Sequence, residues 1–193
     1  MTMPIIARDF MEAITSSDSP TARERFTLPV AERFRTALDS GSDMHWTDDD
    51  SILLAADPAL ADALILIALD GTLTARRVRT LAVHPLGRAA RGLAAAIVDD
   101  SMNNPHAAYD PDRLRQARAI LAIPLASRHR PARAAAALDT AFLDLYLGEA
   151  DKAAAHAALT LRLRPGATVA RTVLDSARRG VLPDRAARLA AAA

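Results

Sequence analysis

The apolar positions between residues 131 and 183 recur at the spacing of α-helices, in three segments with marked ends. Each segment carries one apolar face, and these faces contain Leu138, Phe142, Leu145, Tyr146, Ala153, Ala157, Leu161, Val169, Val173 and Leu174. Gly148 and Pro165-Gly166 separate the segments, because glycine favours helix ends and proline cannot continue a helix. The short connections predict antiparallel neighbours that pack closely through alanine.

Helical spacing also dominates the rest of the chain, where breaks occur at residues 16–20, Gly41, Asp57-Pro58, Asp70-Gly71 and Pro85. The predicted fold class is therefore all-α, with about nine or ten helices arranged as antiparallel hairpins. We expect an N-terminal helical arm or hairpin in residues 1–40 and a helical domain in residues 41–193. The polar break at residues 16–20 predicts a hinge. Within the domain, the pattern predicts a first helical layer in residues 42–98 and a C-terminal helical stack in residues 111–193.

The spacing from Gly148 to Pro165 resembles one tetratricopeptide unit, in which glycine turns a helix pair and proline closes the second helix. A single such unit is predicted, because no second copy follows at a fixed period and an array needs several. The expected C-terminal structure is a tetratricopeptide-like helix stack.

A longer resemblance covers the last third of the chain. It rests on Gly148, Ala153, Ala157, Ala158, Leu159, Pro165, Ala170, Leu174, Gly180, Leu182 and Pro183. These positions resemble the C-terminal helical half of DUF4192, an actinobacterial family of domains of unknown function, and residues 53–64 are similar to an upstream segment of that family. The strand-rich N-terminal half of the family is absent here. The resemblance implies a helical domain from a high-GC bacterium or phage, and it transfers no site residues.

Composition narrows the classes of function. The 193 residues are 51% hydrophobic, which is ample for a core, and the absence of cysteine excludes disulfides and thiolate catalysis. The N-terminus has no charged region before an apolar run, and Asp62 interrupts the longest apolar run, at residues 58–69. We therefore expect a cytoplasmic protein with no membrane partner.

Charge is balanced overall but unevenly distributed. Residues 1–75 contain 5 arginines and 13 acidic residues, a net charge of −8, whereas residues 76–193 carry +9 from 19 basic and 10 acidic residues. Either the acidic part packs over the basic part, or the basic part binds nucleic acid or an acidic partner. The candidate contacts are Arg76, Arg77, Arg79, Arg88, Arg91, Arg128, Arg130 and Arg133.

The segment DMHWTDDD, residues 43–50, contains one candidate metal ligand set, formed by His45 and the carboxylates around it. Its spacing matches neither a calcium loop nor a zinc helix motif. The alternative is that Thr47 or Asp48 caps an acidic helix start and that Trp46 packs this start against the core.

The segment at residues 99–112 offers a second candidate, an acid/base or metal cluster that would contain Asp99, Asp100, His106, Tyr109 and Asp110. The alternative is a surface linker with Asn-Pro and Asp-Pro turns, in which Asp110 or Asp112 caps the next helix.

Motifs of known catalytic chemistry are absent from the sequence. It has no glycine-rich phosphate loop, no Gly-x-Ser-x-Gly elbow and no metalloprotease helix. We therefore assign no catalytic, cofactor-binding or metal-binding residues and expect no cofactor. The favoured function is a non-catalytic interaction or scaffold module for a protein or peptide, which could also self-associate through its alanine-rich faces. The alternatives are nucleic-acid binding through the arginine-rich C-terminal two-thirds, and an enzyme whose site is not readable from motifs.

Overall fold

The computed structural model describes residues 4–15, 19–104, 106–107 and 109–191. These residues form twelve α-helices and no strand, which confirms the predicted all-α class and exceeds the expected number of helices. The helices are α1 (Ile5–Thr15), α2 (Ser19–Phe26), α3 (Leu28–Ser40), α4 (Asp48–Ala56), α5 (Pro58–Leu69), α6 (Ala75–Val83), α7 (Arg88–Asn103), α8 (Pro111–Leu125), α9 (Arg130–Tyr146), α10 (Ala150–Leu163), α11 (Thr168–Arg178) and α12 (Asp184–Ala191).

Helix ends follow the chemistry of the residues that mark them. The Asp57 side chain caps α5 by accepting a hydrogen bond from the Ala59 amide at 3.2 Å, and Pro58 occupies the first helical position. Gly148 lies between α9 and α10 with a positive φ of 77°, a conformation that glycine adopts without steric cost. The turn at Gly148 therefore lets α10 fold back beside α9.

The structure differs from the sequence predictions at helices α2 and α7. Helix α2 lies in a segment for which no helix was predicted, because only one of its side chains, Ala22, is buried and the segment has no apolar face. The hinge predicted at residues 16–20 falls partly within α2, and its residues 16–18 lie outside the described residues. Helix α7 continues to Asn103, so the connection predicted at residues 99–112 shortens to residues 104–110.

The larger core lies around α5, which packs against α3, α4, α6, α7, α8 and α9. Its most buried large side chains include Phe10, Phe34, Leu60, Leu64, Ile67, Leu114, Leu121 and Leu143. Helices α1 and α3, which belong to the predicted N-terminal arm, contribute Phe10 and Phe34 to this core. The arm and the first helical layer thus bury their apolar faces together.

A smaller core joins α9, α10 and α11. Helices α9 and α10 are antiparallel, because Ala134 near the start of α9 contacts Thr160 near the end of α10, and Asp144 near the end of α9 contacts His156. Alanines at the contact, such as Ala153 and Ala157, allow close approach. This confirms an antiparallel hairpin, whereas its tetratricopeptide-like character stays a prediction.

No single helix in the described part of the chain is long and apolar enough to cross a membrane. Among the described helices, only the pair α4 and α5 reaches that length and composition, and the axes of these two helices are bent by 105°.

Candidate functional site

An apolar groove of about 760 Å³ opens between α5, α7, α9 and the connection from α10 to α11. One wall is a continuous face of α5, and its residues recur at intervals of three and four. They are Pro58, Ala61, Asp62, Ile65, Leu66 and Leu69. Leu66 and Leu69, at one edge of this face, are also buried in the core.

The opposite rim exposes large apolar side chains. Ala94, Val98 and Met102 of α7 line it at four-residue intervals, and Val98 is 43% exposed. Val169, at the start of α11, is 49% exposed and lines the other end. A contiguous set of exposed apolar side chains on one concave surface is typical of a binding site.

The floor of the groove is one face of α9, formed by Ala135, Leu138, Asp139, Phe142 and Tyr146. Asp139 is the polar exception in this apolar surface. Its side chain is buried, with only 3% of the residue exposed, and Oδ2 has no hydrogen-bond partner within the described residues. Burial, and then the charge of Asp62, raise the pKa of Asp139 well above its ordinary value.

Asp62 of α5 is the second carboxylate of the groove. It lies at the open side, yet the apolar side chains around it partly desolvate its carboxyl group. This burial, and then the charge of Asp57, raise the pKa of Asp62. Asp57 itself is satisfied, since it caps α5 and accepts a hydrogen bond from Nε of Arg23 at 3.2 Å. The groove therefore combines apolar walls with two destabilised carboxylates.

Sequence reasoning missed this acidic pair because Asp62 and Asp139 are far apart in the chain. A signal existed, since each is an aspartate on an otherwise apolar helix face, within residues 58–69 and 134–143 respectively. Neither pattern alone shows that the two faces meet.

The candidate arginines fall into two groups. Arg76, Arg77, Arg79, Arg88 and Arg91 lie on the adjacent helices α6 and α7, whereas Arg128, Arg130 and Arg133 lie at the junction of α8 and α9. Arg79 forms an ion pair with Glu24. Arg130 donates hydrogen bonds to the carbonyl oxygens of Leu163 and Arg162, so it satisfies the end of α10. Within the described residues, two of the eight arginines thus have internal partners.

The segment at residues 43–50 forms a capped helix start. The Thr47 amide donates to Oδ2 of Asp50 at 2.9 Å, and the Asp50 amide donates to Oγ1 of Thr47 at 3.1 Å. Asp50 also accepts from Nη2 of Arg33 at 2.6 Å, and Trp46 is buried with its indole bonded to Ser51. This confirms capping by Thr47, and it gives the Asp50 carboxylate partners other than a metal ion.

The candidate cluster at residues 99–112 does not form. Asp99 and Asp100 accept hydrogen bonds on α7 from Asn103 and Asn104, and Asp110 caps α8. Tyr109 is buried beneath the guanidinium group of Arg185, 4.8 Å from its ring centroid, while His106 is exposed. No group of three or more His, Asp or Glu side chains in the described ranges is placed to hold a metal ion.

Another buried carboxylate, Asp144 of α9, has a partner at each of its two oxygens. Nη1 of Arg118 donates to its Oδ1 at 2.9 Å, and Nδ1 of His156 lies 2.7 Å from its Oδ2. These contacts join α8, α9 and α10. Asp139 lies on the same helix, but its Oδ2 has no such partner among the described residues.

Comparisons of the chain with protein-family models, with curated proteins and with solved structures give no match. The resemblance to DUF4192 and to a tetratricopeptide unit therefore stays a prediction. On its geometry, the groove between α5, α7 and α9 is the candidate functional site of this chain.

Proposed function

We propose that this protein is a non-catalytic interaction module, which binds an amphipathic helix of a partner protein in the groove between α5, α7 and α9. The observation that carries the proposal is the contiguous apolar lining, whose rim exposes Val98, Met102 and Val169. Exposed apolar side chains at the rim favour a partner, because covering them removes apolar area from water.

The dimensions of the groove favour a helix as the occupant. Its α5 wall is 12 residues long, which corresponds to about 17 Å, or roughly three helical turns. A partner helix of that length would insert apolar side chains at positions i, i+3, i+4 and i+7. The faces of α5, α7 and α9 present their own side chains at matching helical intervals.

The proposal is tested by selecting binders from a library of amphipathic helical peptides and titrating them by fluorescence anisotropy. We expect Val98→Asp to weaken binding by about tenfold or more, because a charge at the rim must be desolvated when the peptide docks. Leu86→Asp is the matched control, since Leu86 is 82% exposed and does not line the groove. Equal binding by both variants, or no saturable binder at all, would contradict the proposal.

A second candidate function, nucleic-acid binding, is supported by a different observation. The guanidinium groups of Arg76, Arg77, Arg88 and Arg91 are exposed on adjacent helices and make no hydrogen bond or ion pair within the described part of the chain. Such groups could contact phosphates.

Titration of random single- and double-stranded DNA across a salt series tests this alternative. Binding through these four arginines would give a slope of log affinity against log salt of about −3 to −4 on duplex DNA, because each neutralised phosphate contributes about −0.9. Arg76→Ala combined with Arg77→Ala would then reduce the slope, whereas Arg178→Ala on α11 would leave it unchanged. Absence of binding at low salt would rule out this alternative.

The cytoplasmic location that the cysteine-free composition favours is compatible with both functions.

A further inference from the structure

We propose that the groove selects a partner helix that carries one basic side chain, arginine or lysine, within its apolar face, and that Asp139 and Asp62 receive this charge. The inference rests on the proposed function and specifies the chemistry of the partner.

The carboxyl group of Asp139 lacks a hydrogen-bond partner at Oδ2 among the described residues. Buried polar groups in folded proteins are nearly always hydrogen-bonded, and a buried carboxylate is nearly always paired. Asp139 is buried, yet no described residue supplies a partner to its Oδ2. Asp139 lines the floor of an open groove, although Oδ2 itself is buried. A rotation of the carboxyl group would bring this oxygen within reach of a donor on a ligand in that groove.

The nearby carboxyl group of Asp62 favours a donor that carries a positive charge. Asp62 lies on α5, which forms the wall beside Asp139, and the two groups are close enough to interact electrostatically. A neutral donor would satisfy one oxygen but would leave the cost of ionising Asp139 beside Asp62 unchanged. A cation between them lowers the energy of both. Arginine suits this position best, since its planar guanidinium group can bond two carboxylates and is weakly hydrated.

The groove supplies no such cation itself. Arg164 is the one basic side chain among the described residues that line the groove, and it is exposed at the rim near α11. It forms no ion pair with Asp62 or Asp139 among the described contacts. A basic side chain on the partner would therefore meet two acidic groups that no described basic side chain of the groove pairs with.

The protonation state of Asp139 also favours a basic side chain on the partner. Burial and the charge of Asp62 raise the pKa of Asp139, so the empty groove favours the protonated carboxyl group. The other titratable groups that face the pair are Asp57 and Arg164, together with Tyr146, whose pKa is raised mainly by burial. A docking cation replaces the proton on Asp139. Binding of the basic peptide should therefore release protons to solvent, and its affinity should rise with pH until Asp139 is ionised in the free protein.

The test uses the full chain and a library of helical peptides of about 14 residues, with leucines fixed at one face and one central position of that face randomised. We expect selection on the wild-type protein to enrich arginine and lysine at the randomised position. The selected peptide should bind about tenfold or more tightly than its glutamine counterpart. Asp139→Asn and, separately, Asp62→Asn should remove this preference while both peptides still bind.

The outcomes separate this inference from the proposed function. Peptides that bind the groove with no preference for a basic residue would overturn the inference and leave the proposed function standing. Absence of any saturable peptide would overturn both. Asp62→Asn, on the open side of the groove, keeps the test decisive if Asp139→Asn fails to fold. A dimer by light scattering that Val98→Asp dissociates would identify a second copy of this chain as the occupant, and would also overturn the inference.

Calorimetry supplies an independent readout. Titration of the arginine peptide into the wild-type protein, in two buffers with different ionisation enthalpies, should show net proton release. The same titration into Asp139→Asn should show none. Proton release that is unchanged in Asp139→Asn would contradict the role of this carboxyl group.

Discussion

Arg113 of α8 donates a hydrogen bond from Nη1 to Oδ1 of Asp39, at the end of α3, over 2.8 Å. Its Nε and Nη2 atoms both donate to the carbonyl oxygen of Ile67, near the end of α5. Arg113 is only 9% exposed, so this contact is an internal one. It joins the acidic part of the chain to the basic part, as the packing interpretation of the charge asymmetry predicts.

We expect Arg113→Met to lower the free energy of unfolding by about 2–3 kcal/mol, because the variant leaves the Ile67 carbonyl without these donors and removes a partly buried ion pair. Urea unfolding followed by circular dichroism measures the change. Arg115→Met is the matched control on the same helix, where the ion pair with Asp112 is exposed, and it should cost less than about 1 kcal/mol. Similar losses in both variants would show that burial of Arg113 contributes nothing.

The pH dependence of stability is expected to report on Asp139. In the unfolded chain this carboxyl group ionises near its ordinary pKa of 3.8, whereas in the folded protein its pKa is raised well above that value. The folded state therefore keeps a proton that the unfolded chain has lost. Its contribution to stability is fully present below about pH 4 and is lost as pH rises through the raised pKa.

We therefore expect Asp139→Asn to be more stable than the wild-type protein at pH 8, by about 1.4 kcal/mol for each unit by which the pKa is raised, and to lose this advantage toward pH 4. Urea unfolding at several pH values measures the difference. Asp175→Asn, which removes a carboxyl group at an exposed position of α11, is the matched control. Asp62→Asn should move the transition to lower pH, because the charge of Asp62 helps to raise the pKa of Asp139.

The reciprocal hydrogen bonds between Thr47 and Asp50 give a third prediction. Thr47→Ala should cost about 1 kcal/mol, the usual value of an N-terminal cap, whereas Asp50→Ala should cost more because Asp50 also binds Arg33. Thermal unfolding measures both. Zn²⁺ or Ca²⁺ should leave the midpoint unchanged, and a metal-dependent rise that Asp50→Ala abolishes would restore the metal interpretation of residues 43–50.

Local chemistry explains how much of the fold could be predicted. The caps at Thr47, Asp57 and Asp110 and the turn at Gly148 act within a few residues, so the sequence shows them directly. Helix α2 could not be predicted in this way, because its position depends on tertiary ion pairs such as that between Arg23 and Asp57. The last turn of α7 likewise depends on a distant contact, the hydrogen bond from Ser101 to the Tyr146 hydroxyl.

The groove was beyond sequence reasoning for a geometric reason. Periodicity identifies an apolar face, but it does not distinguish a face that fills the core from one that lines an open surface. Helix α5 carries both kinds, with Leu64 in the core and Ile65 lining the groove. Only the packing of α5 against α9 brings Asp62 beside Asp139. The candidate arginines, by contrast, were visible as a charge pattern, although Arg79 and Arg130 proved to have internal partners.

The last prediction concerns the contacts of Asp144, which join α8, α9 and α10. Asp144 is completely buried, so Asp144→Ala leaves Arg118 and His156 without their shared acceptor and should cost about 3 kcal/mol. Lys152→Ala is the matched control, because the Lys152 side chain is 58% exposed in its ion pair with Glu149. This control should cost less than about 1 kcal/mol by urea unfolding. Comparable losses would mean that the joint is held by the alanine contacts of α9 and α10 alone, and that buried charge pairing adds nothing to it.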